Sequence, residues 1–388
     1  RTAREAIRVM TDLVQRYGYC SSGESFSVAD PDEVWILEMI GKGKGEKGAI
    51  WVARRIPDGY VCAHANQARI GNFPLKDPDN CLYAGDIIEF ARKKGFYSGD
   101  DRAFNFRDAY APLDFGAKRF CEARVWSFFK RVAPSLAIPI DYVRGDADAD
   151  PLPLWVKPDK KIAVGDLFQL MRDHFEGTEF DLSKGLGAGP YGLPYRWRPL
   201  VWEYEGNRYF NERATSTQQT GWSFVSQLRS GLPDKIGGVH WFGVDDSNST
   251  VYVPFYGGIL RPPTAYSVDS GHFDEFSWDS AFWVFNFVAN FAYSRYGDMI
   301  RDIREVQNQL ESKFLADQPG VDRAALELYR QSPRLAEEYL TEYCRNQAGD
   351  VIVRWKKLGQ FLIWKYLDGN VKDEQGRVTH PGYPASWY

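Results

Sequence analysis

The sequence is poor in the residues that build metal and disulfide sites. Its 388 residues hold five cysteines and five histidines. The cysteines (Cys20, Cys62, Cys81, Cys121, Cys344) form no C-x-x-C pair, so neither a zinc ribbon nor a disulfide framework is indicated. The histidines (His64, His174, His240, His272, His380) form no H-E-x-x-H and no H-x-H pair, which argues against a bound metal. There is no basic excess: 48 Lys and Arg face 52 Asp and Glu, and a general nucleic-acid binder would carry the opposite balance. No apolar run reaches the ~20 residues needed to span a bilayer. The most apolar stretch, 281–293, is shorter and contains Asn286 and Asn290. No G-x-S-x-G elbow is present. The Gly-rich segments GLGAGP (185–190) and GKGKGEKG (41–48) lack the strand–loop–helix context of a phosphate loop and read as plain loops.

What is present is aromatic and periodic. Aromatic residues make up 15% of the chain, which rules out disorder and implies a large packed core. Ala6, Ile7, Met10, Leu13, Val14 and Tyr17 recur at spacings of three and four, predicting a helix with Thr2 and Glu5 as its capping box and Gly18 as its stop. Four short β-prone runs follow, at 25–30, 34–39, 49–55 and 60–65, and predict an antiparallel meander. Helices are predicted at 84–94 and 117–132, and around Leu167, Leu170, Met171 and Phe175. Glu205-Gly206-Asn207 and the run Asp245 to Ser249 each sit between two β-prone runs and predict hairpins. From 280 to 367 the pattern is helical, with separable helices at 324–329, 335–343 and 351–366. Neither βαβ alternation nor a pure sandwich fits this order, so the fold class is α+β.

One segment combines small residues with polar groups at a strand end: Ala63-His64-Ala65-Asn66-Gln67-Ala68-Arg69-Ile70. Small side chains let a ligand reach the backbone, and an amide NH2 placed there can donate to a developing oxyanion. A polar strand exit, with Asn66 closing a turn, accounts for the same residues.

Long ordered motifs carry more. ESFSVADPDEVWILEMIGKG, GAIWVARRIPDGYVCAHANQARI, YAPLDF, FCEARVWSFF, MRDHFEGTEFD and GPYGLPYRWRPL resemble the PepD-type dipeptidases. So do YFNERATSTQQTGWSFVSQLR, GGVHWFGVDDSNSTVYVPFY, FSWDSAFWVFNFVANFAYSRY and GQFLIWKYLDGNV, so the resemblance runs along nearly the whole chain. These are N-terminal-nucleophile hydrolases, related to secernins and more distantly to penicillin V acylase and bile salt hydrolase.

The resemblance implies a four-layer αββα sandwich with a helical C-terminal region. The hydrolase core would span 1–278, incomplete at its N-terminus and with a helical insertion at about 82–180. A C-terminal helical region, 279–388, would pack on that core. It implies cleavage of dipeptides by an N-terminal cysteine whose own α-amino group, with a pKa near ~8, acts as the base. No metal or organic cofactor is required.

The chain opens at Arg1 without Met, and the family's leading cysteine has no matching position, so the nucleophile is expected upstream and this polypeptide alone is expected to be inactive. Carried over are Asn66 as oxyanion donor, and His64, Arg69 and Arg213 as substrate-binding residues. The expected partners are dipeptides, with no nucleic acid and no membrane span. A homo-oligomer is allowed, as is a periplasmic or secreted location, since relatives include exported forms. An N-acyl amidase of the same fold and a non-catalytic, secernin-like peptide-binding protein stand as the alternatives.

Overall fold

The computed structural model describes residues 2–146 and 149–388. The chain divides into two compact units, one up to Ile162 and one from Ala163 to Tyr388.

The first unit opens with helix α1 (Ala3–Tyr17). Thr2 caps it, its hydroxyl accepting from the Glu5 amide at 3.1 Å, and Gly18 ends it at φ +100°. The face it buries is Ala3, Ile7 and Thr11, while Leu13 and Tyr17 at the edge of the predicted stripe stay exposed. Strands β1 (Gly23–Ala29), β2 (Val34–Gly41) and β3 (Ala49–Arg55) form the predicted antiparallel meander.

The fourth strand of that sheet is not the predicted 60–65 run. Only β4 (Val61–Cys62) is extended there, and it pairs with β6 (Trp155–Val156). The edge of β3 is taken instead by β5 (Cys81–Tyr83), with Ala53 opposite Leu82. The chain after Cys62 leaves the extended region at Asn66, whose φ is +55°, so the run cannot continue as a strand.

Strand β2 explains why the sheet is covered on both faces. Trp35, Leu37 and Met39 share a core with Ala3 and Ile7 of α1, while Ile36 points into a second core with Ile50, Val52 and Ile70. That second core also takes α2 (Ile87–Lys93) and α3 (Phe106–Tyr110). The predicted helix at 117–132 begins as a π-helical turn, Ala117–Glu122, and continues as α4 (Ala123–Val132). A short α5 (Asp141–Arg144) follows.

The second unit begins with α6 (Val164–Leu170). It stops before Met171 and Phe175, which sequence periodicity had placed on it, and Phe175 lies at φ +63°. The predicted hairpin at 205–207 forms between β7 (Val201–Tyr204) and β8 (Asn207–Phe210). Glu205 and Gly206 turn it, both with positive φ, as a two-residue hairpin turn requires.

A three-stranded antiparallel sheet follows, in order β11–β10–β9, from β9 (Trp222–Leu228), β10 (Gly238–Val244) and β11 (Val253–Tyr256), with α7 (Asp234–Gly237) between the first two. Val225, Val239, Trp241 and Val253 point into one core with α8 (Ala281–Ala292), α9 (Tyr296–Gln331) and α10 (Pro333–Lys365). A final pair, β12 (Val371–Lys372) and β13 (Val378–Thr379), closes the chain.

The three separable C-terminal helices are in fact the end of α9 and two halves of one α10. Buried Ala336, Leu340, Cys344, Ala348, Val351, Trp355, Leu358 and Leu362 make one unbroken stripe along α10. Cys344 and Ala348 are small, so the stripe looks interrupted when only large apolar residues are counted. Among the described residues no helix is long and apolar enough to cross a membrane.

Candidate active site

In the first unit, the segment after β4 is organised by a buried charge cluster. Glu38 is the single polar residue in the middle of β2 and is fully buried. It turns both carboxylate oxygens on the backbone of that segment: Oε1 accepts from the Arg69 amide at 2.7 Å and Oε2 from the Ile70 amide at 2.9 Å. Burial pushes its carboxyl up to about 7, against the two amide bonds, which favour the charge.

Arg69 is equally buried. Its Nε donates to Glu122 at 2.8 Å, Nη1 to the carbonyls of Ala63 (2.8 Å) and Leu154 (3.1 Å), and Nη2 to that of Pro153 (2.7 Å). Four of its five N–H donors are therefore committed to the protein. The side chain proposed from sequence as a carboxylate clamp is the strut that shapes the loop.

Asn66 sits at the exposed tip of that loop. Arg124, in the first turn of α4, donates from Nη2 to Asn66 Oδ1 at 2.9 Å and from Nε to the Phe120 carbonyl at 2.9 Å. The amide oxygen is thus occupied, and the Asn66 Nδ2 group makes no hydrogen bond among the described residues. This is the orientation an oxyanion donor needs: a fixed amide with its N–H bonds turned outward.

The π-helical turn just before α4 brings Cys121 beside the loop as well, its thiol 3.7 Å from the Asn66 carbonyl oxygen. Wider turns of this kind re-aim side chains and recur at functional sites. Arg124 and Glu122 were missed in the sequence because FCEARVWSFF reads first as an apolar helix face.

His64 is half-buried and shares a 3.0 Å hydrogen bond with Ser27 Oγ. Burial, with a smaller push from the Arg69 charge, holds its pKa below the usual imidazole range, so it is neutral at pH 7. Arg213 belongs to the second unit, where it lines a small crevice with Tyr195, Arg196 and Gln218.

None of the five cysteines is disulfide-bonded. Burial raises the thiols of Cys62 and Cys344 to about 12 and that of Cys81 to about 11, so at neutral pH all three are protonated and poor nucleophiles. Among the described residues no group of three or more His, Cys, Asp or Glu side chains is arranged to hold a metal ion.

The hairpin predicted at Asp245 to Ser249 forms between β10 and β11, and its turn is a buried polar network in the second unit. The β10–β11 connection, Asp245 to Thr250, is buried throughout. Tyr195 donates to both oxygens of Asp246, at 2.5 and 2.6 Å, and Tyr293 adds a third bond at 3.2 Å. Asn248 bonds Tyr296 at 2.6 Å, and its carbonyl accepts from Arg304 at 2.7 Å. Arg172 pairs with Glu311 at 2.5 Å in the same interior. Acid- and amide-rich runs in loops normally signal exposure. Here Tyr195 and Tyr293 hold Asp246 and Tyr296 holds Asn248 from a distance in sequence, while Asp245 Oδ2 and Thr250 Oγ1 have no hydrogen-bond partner among the described residues.

The model of peptidase family C69 matches residues 1–309. Similar proteins include a probable dipeptidase of Latilactobacillus sakei, 26% identical over 296 residues, covering 76% of this chain and 55% of that protein. A probable dipeptidase of Salmonella dublin is 27% identical over 264 residues (67% and 52%), and dipeptidase A of Lactobacillus helveticus 25% over 320 residues (81% and 58%). The chain spans little more than half the length of these relatives.

Proposed function

This chain belongs to peptidase family C69, and from that membership we propose that it is part of a dipeptidase acting through a cysteine nucleophile, with Asn66 as an oxyanion donor. The observation that carries the reading is the Arg124–Asn66 contact, which leaves the amide N–H bonds of Asn66 facing outward. The attacking thiol is assigned to the family's leading cysteine, which has no match in this sequence, with Cys121 as the alternative; Cys62, Cys81 and Cys344 are set aside because burial holds them protonated.

In the proposed reaction the thiolate attacks the dipeptide carbonyl. The oxyanion accepts a hydrogen bond from Asn66 Nδ2. The C–N bond then breaks with a proton passing to the leaving amine, and water hydrolyses the thioester, releasing the acid and restoring the thiol. Arg69, Glu122 and Glu38 hold the loop and take no part in the chemistry. The four-layer αββα fold is part of the same proposal. It is supported by an antiparallel sheet in each unit with helices against it, α1 on one face of the first and α8–α10 on the second.

The test is hydrolysis of a dipeptide panel, beside N-acyl amides, by the full-length protein and its Asn66→Ala and Cys121→Ser variants. Dipeptide cleavage that falls sharply in Asn66→Ala and persists in Cys121→Ser supports the reading. Abolition in Cys121→Ser would move the nucleophile to Cys121. Preference for acyl amides would favour the amidase, and no turnover in the full-length protein the non-catalytic alternative.

A further inference from the structure

The second unit contains a cavity of about 600 Å³ beside the N-terminus of α9 and the end of α10. That volume lies in the range of small-molecule pockets (~300–1,000 Å³). Its walls mix apolar and aromatic side chains, among them Tyr191, Phe291, Ile363 and Tyr383, with polar groups such as Ser294. Two charged side chains line it, Arg295 and Asp368.

Arg295 is 6% exposed and is held on three sides. Its Nε donates to Asp298 at 2.6 Å, its Nη1 donates to the Gly369 carbonyl at 2.9 Å, and its guanidinium carbon lies 4.5 Å from the centre of the Tyr191 ring. Nη2 makes no hydrogen bond among the described residues. A buried guanidinium fixed at two nitrogens, with the third unpaired at a cavity wall, is a preorganised receptor for a carboxylate.

Tyr191 is fixed in turn. Its carbonyl accepts from the Gly297 amide at 2.7 Å, an approach so close that a Cβ on residue 297 would lie 2.8 Å from that oxygen. Tyr383 packs against Tyr191 with ring centres 6.1 Å apart.

Asp368 immediately precedes the glycine whose carbonyl holds Arg295, so the two opposite charges stand on neighbouring parts of one wall. Asp368 is exposed and has no hydrogen bond or ion pair among the described residues. A cavity with one fixed cation, one unpaired anion and aromatic walls matches a zwitterion better than a simple anion.

We infer that this cavity binds an amino acid or short peptide with a free α-carboxylate and an apolar or aromatic side chain. The carboxylate sits on Nη2 of Arg295, the ammonium faces Asp368, and the side chain lies against Tyr191 and Tyr383. The site does not depend on the peptidase chemistry or on Asn66, and its binding is read without turnover.

Isothermal titration of the whole chain with L-phenylalanine, L-phenylalaninamide and N-acetyl-L-phenylalanine tests it. L-Phenylalanine binds at one site per chain. The amide, which lacks the carboxylate, binds at least ~10-fold more weakly, and the N-acetyl compound, which lacks the ammonium, is weakened by a smaller factor. Asp368→Asn and Tyr383→Ala change exposed side chains and so keep the fold, which thermal melts monitored by circular dichroism verify. Each lowers the affinity for L-phenylalanine roughly 3- to 10-fold. Asn66→Ala leaves it unchanged. The inference is overturned if L-phenylalanine shows no binding up to ~10 mM, if the three ligands bind alike, if both cavity variants bind like the parent, or if Asn66→Ala abolishes binding.

Discussion

Arg124 Nη2 stands 2.9 Å from Asn66 Oδ1, and this one bond sets which end of the Asn66 amide faces outward. It joins the first turn of α4 to a loop 58 residues earlier. Under the proposed function, Asn66→Ala in the full-length protein should lower kcat by ~10²–10³ with a smaller change in KM, the usual loss for one oxyanion donor. Arg124→Met should lower kcat less, by roughly tenfold, because the amide remains but is free to rotate. Steady-state kinetics with a dipeptide decide it. Unchanged kcat in Asn66→Ala removes the residue from the site, and a normal Arg124→Met removes its positioning role.

Arg69 should behave as structure. Arg69→Met removes the guanidinium that pairs with buried Glu122 and strips donors from the carbonyls of Ala63, Pro153 and Leu154. A loss of about 3–5 kcal/mol is expected, as for other broken buried pairs. Urea unfolding measures it. A variant that keeps its stability but loses substrate affinity would restore Arg69 as a carboxylate clamp.

Glu38 sets a pH dependence. Its carboxyl titrates at about 7 in the folded state, above its ordinary value of 4.5, chiefly because it is buried. Between those two values the folded chain holds a proton that the unfolded chain has released, so stability falls as pH rises through the window and levels off above it. The contribution is on the order of 3 kcal/mol. It is read as the pH-dependent difference in unfolding free energy between the parent and Glu38→Gln. A difference that stays constant from pH 5 to 8 would falsify the assignment.

Thiol labelling should follow burial. Cys20 is exposed and Cys344 is 0% exposed in the middle of α10. Under native conditions at pH 7.5, iodoacetamide should modify Cys20 first, while Cys81 and Cys344 react only after denaturation. Peptide mass spectrometry reports the order, and early modification of Cys344 contradicts its burial in α10.

How much of this was legible depends on how local the cause is. The α1 cap, the three-strand meander and the Glu205–Gly206 turn are written in neighbouring residues, and all three form where periodicity and turn chemistry put them. Asn66 stood out in sequence because small and polar residues gathered at a strand end. Its orientation did not, because that depends on Arg124, and the same holds for the Glu38–Arg69–Glu122 cluster, whose members lie 31 and 53 residues apart. The run Asp245 to Ser249 turns the hairpin that its sequence predicts, but its burial was not legible, for the complementary reason. Composition reports how polar a segment is, while the tyrosines that make its burial tolerable come from 195, 293 and 296.

The pairing of β5 with β3 has a topological outcome. Residues 56–80 leave the sheet and return to it at one point, where the Arg55 amide bonds the Asn80 carbonyl at 3.0 Å. The excursion carrying Asn66 is therefore a noose drawn shut at its neck. A protease nick at the exposed Asp58–Gly59 tip should leave both severed ends tied to the same strand, so that the two pieces elute together from a sizing column and separate only in denaturant.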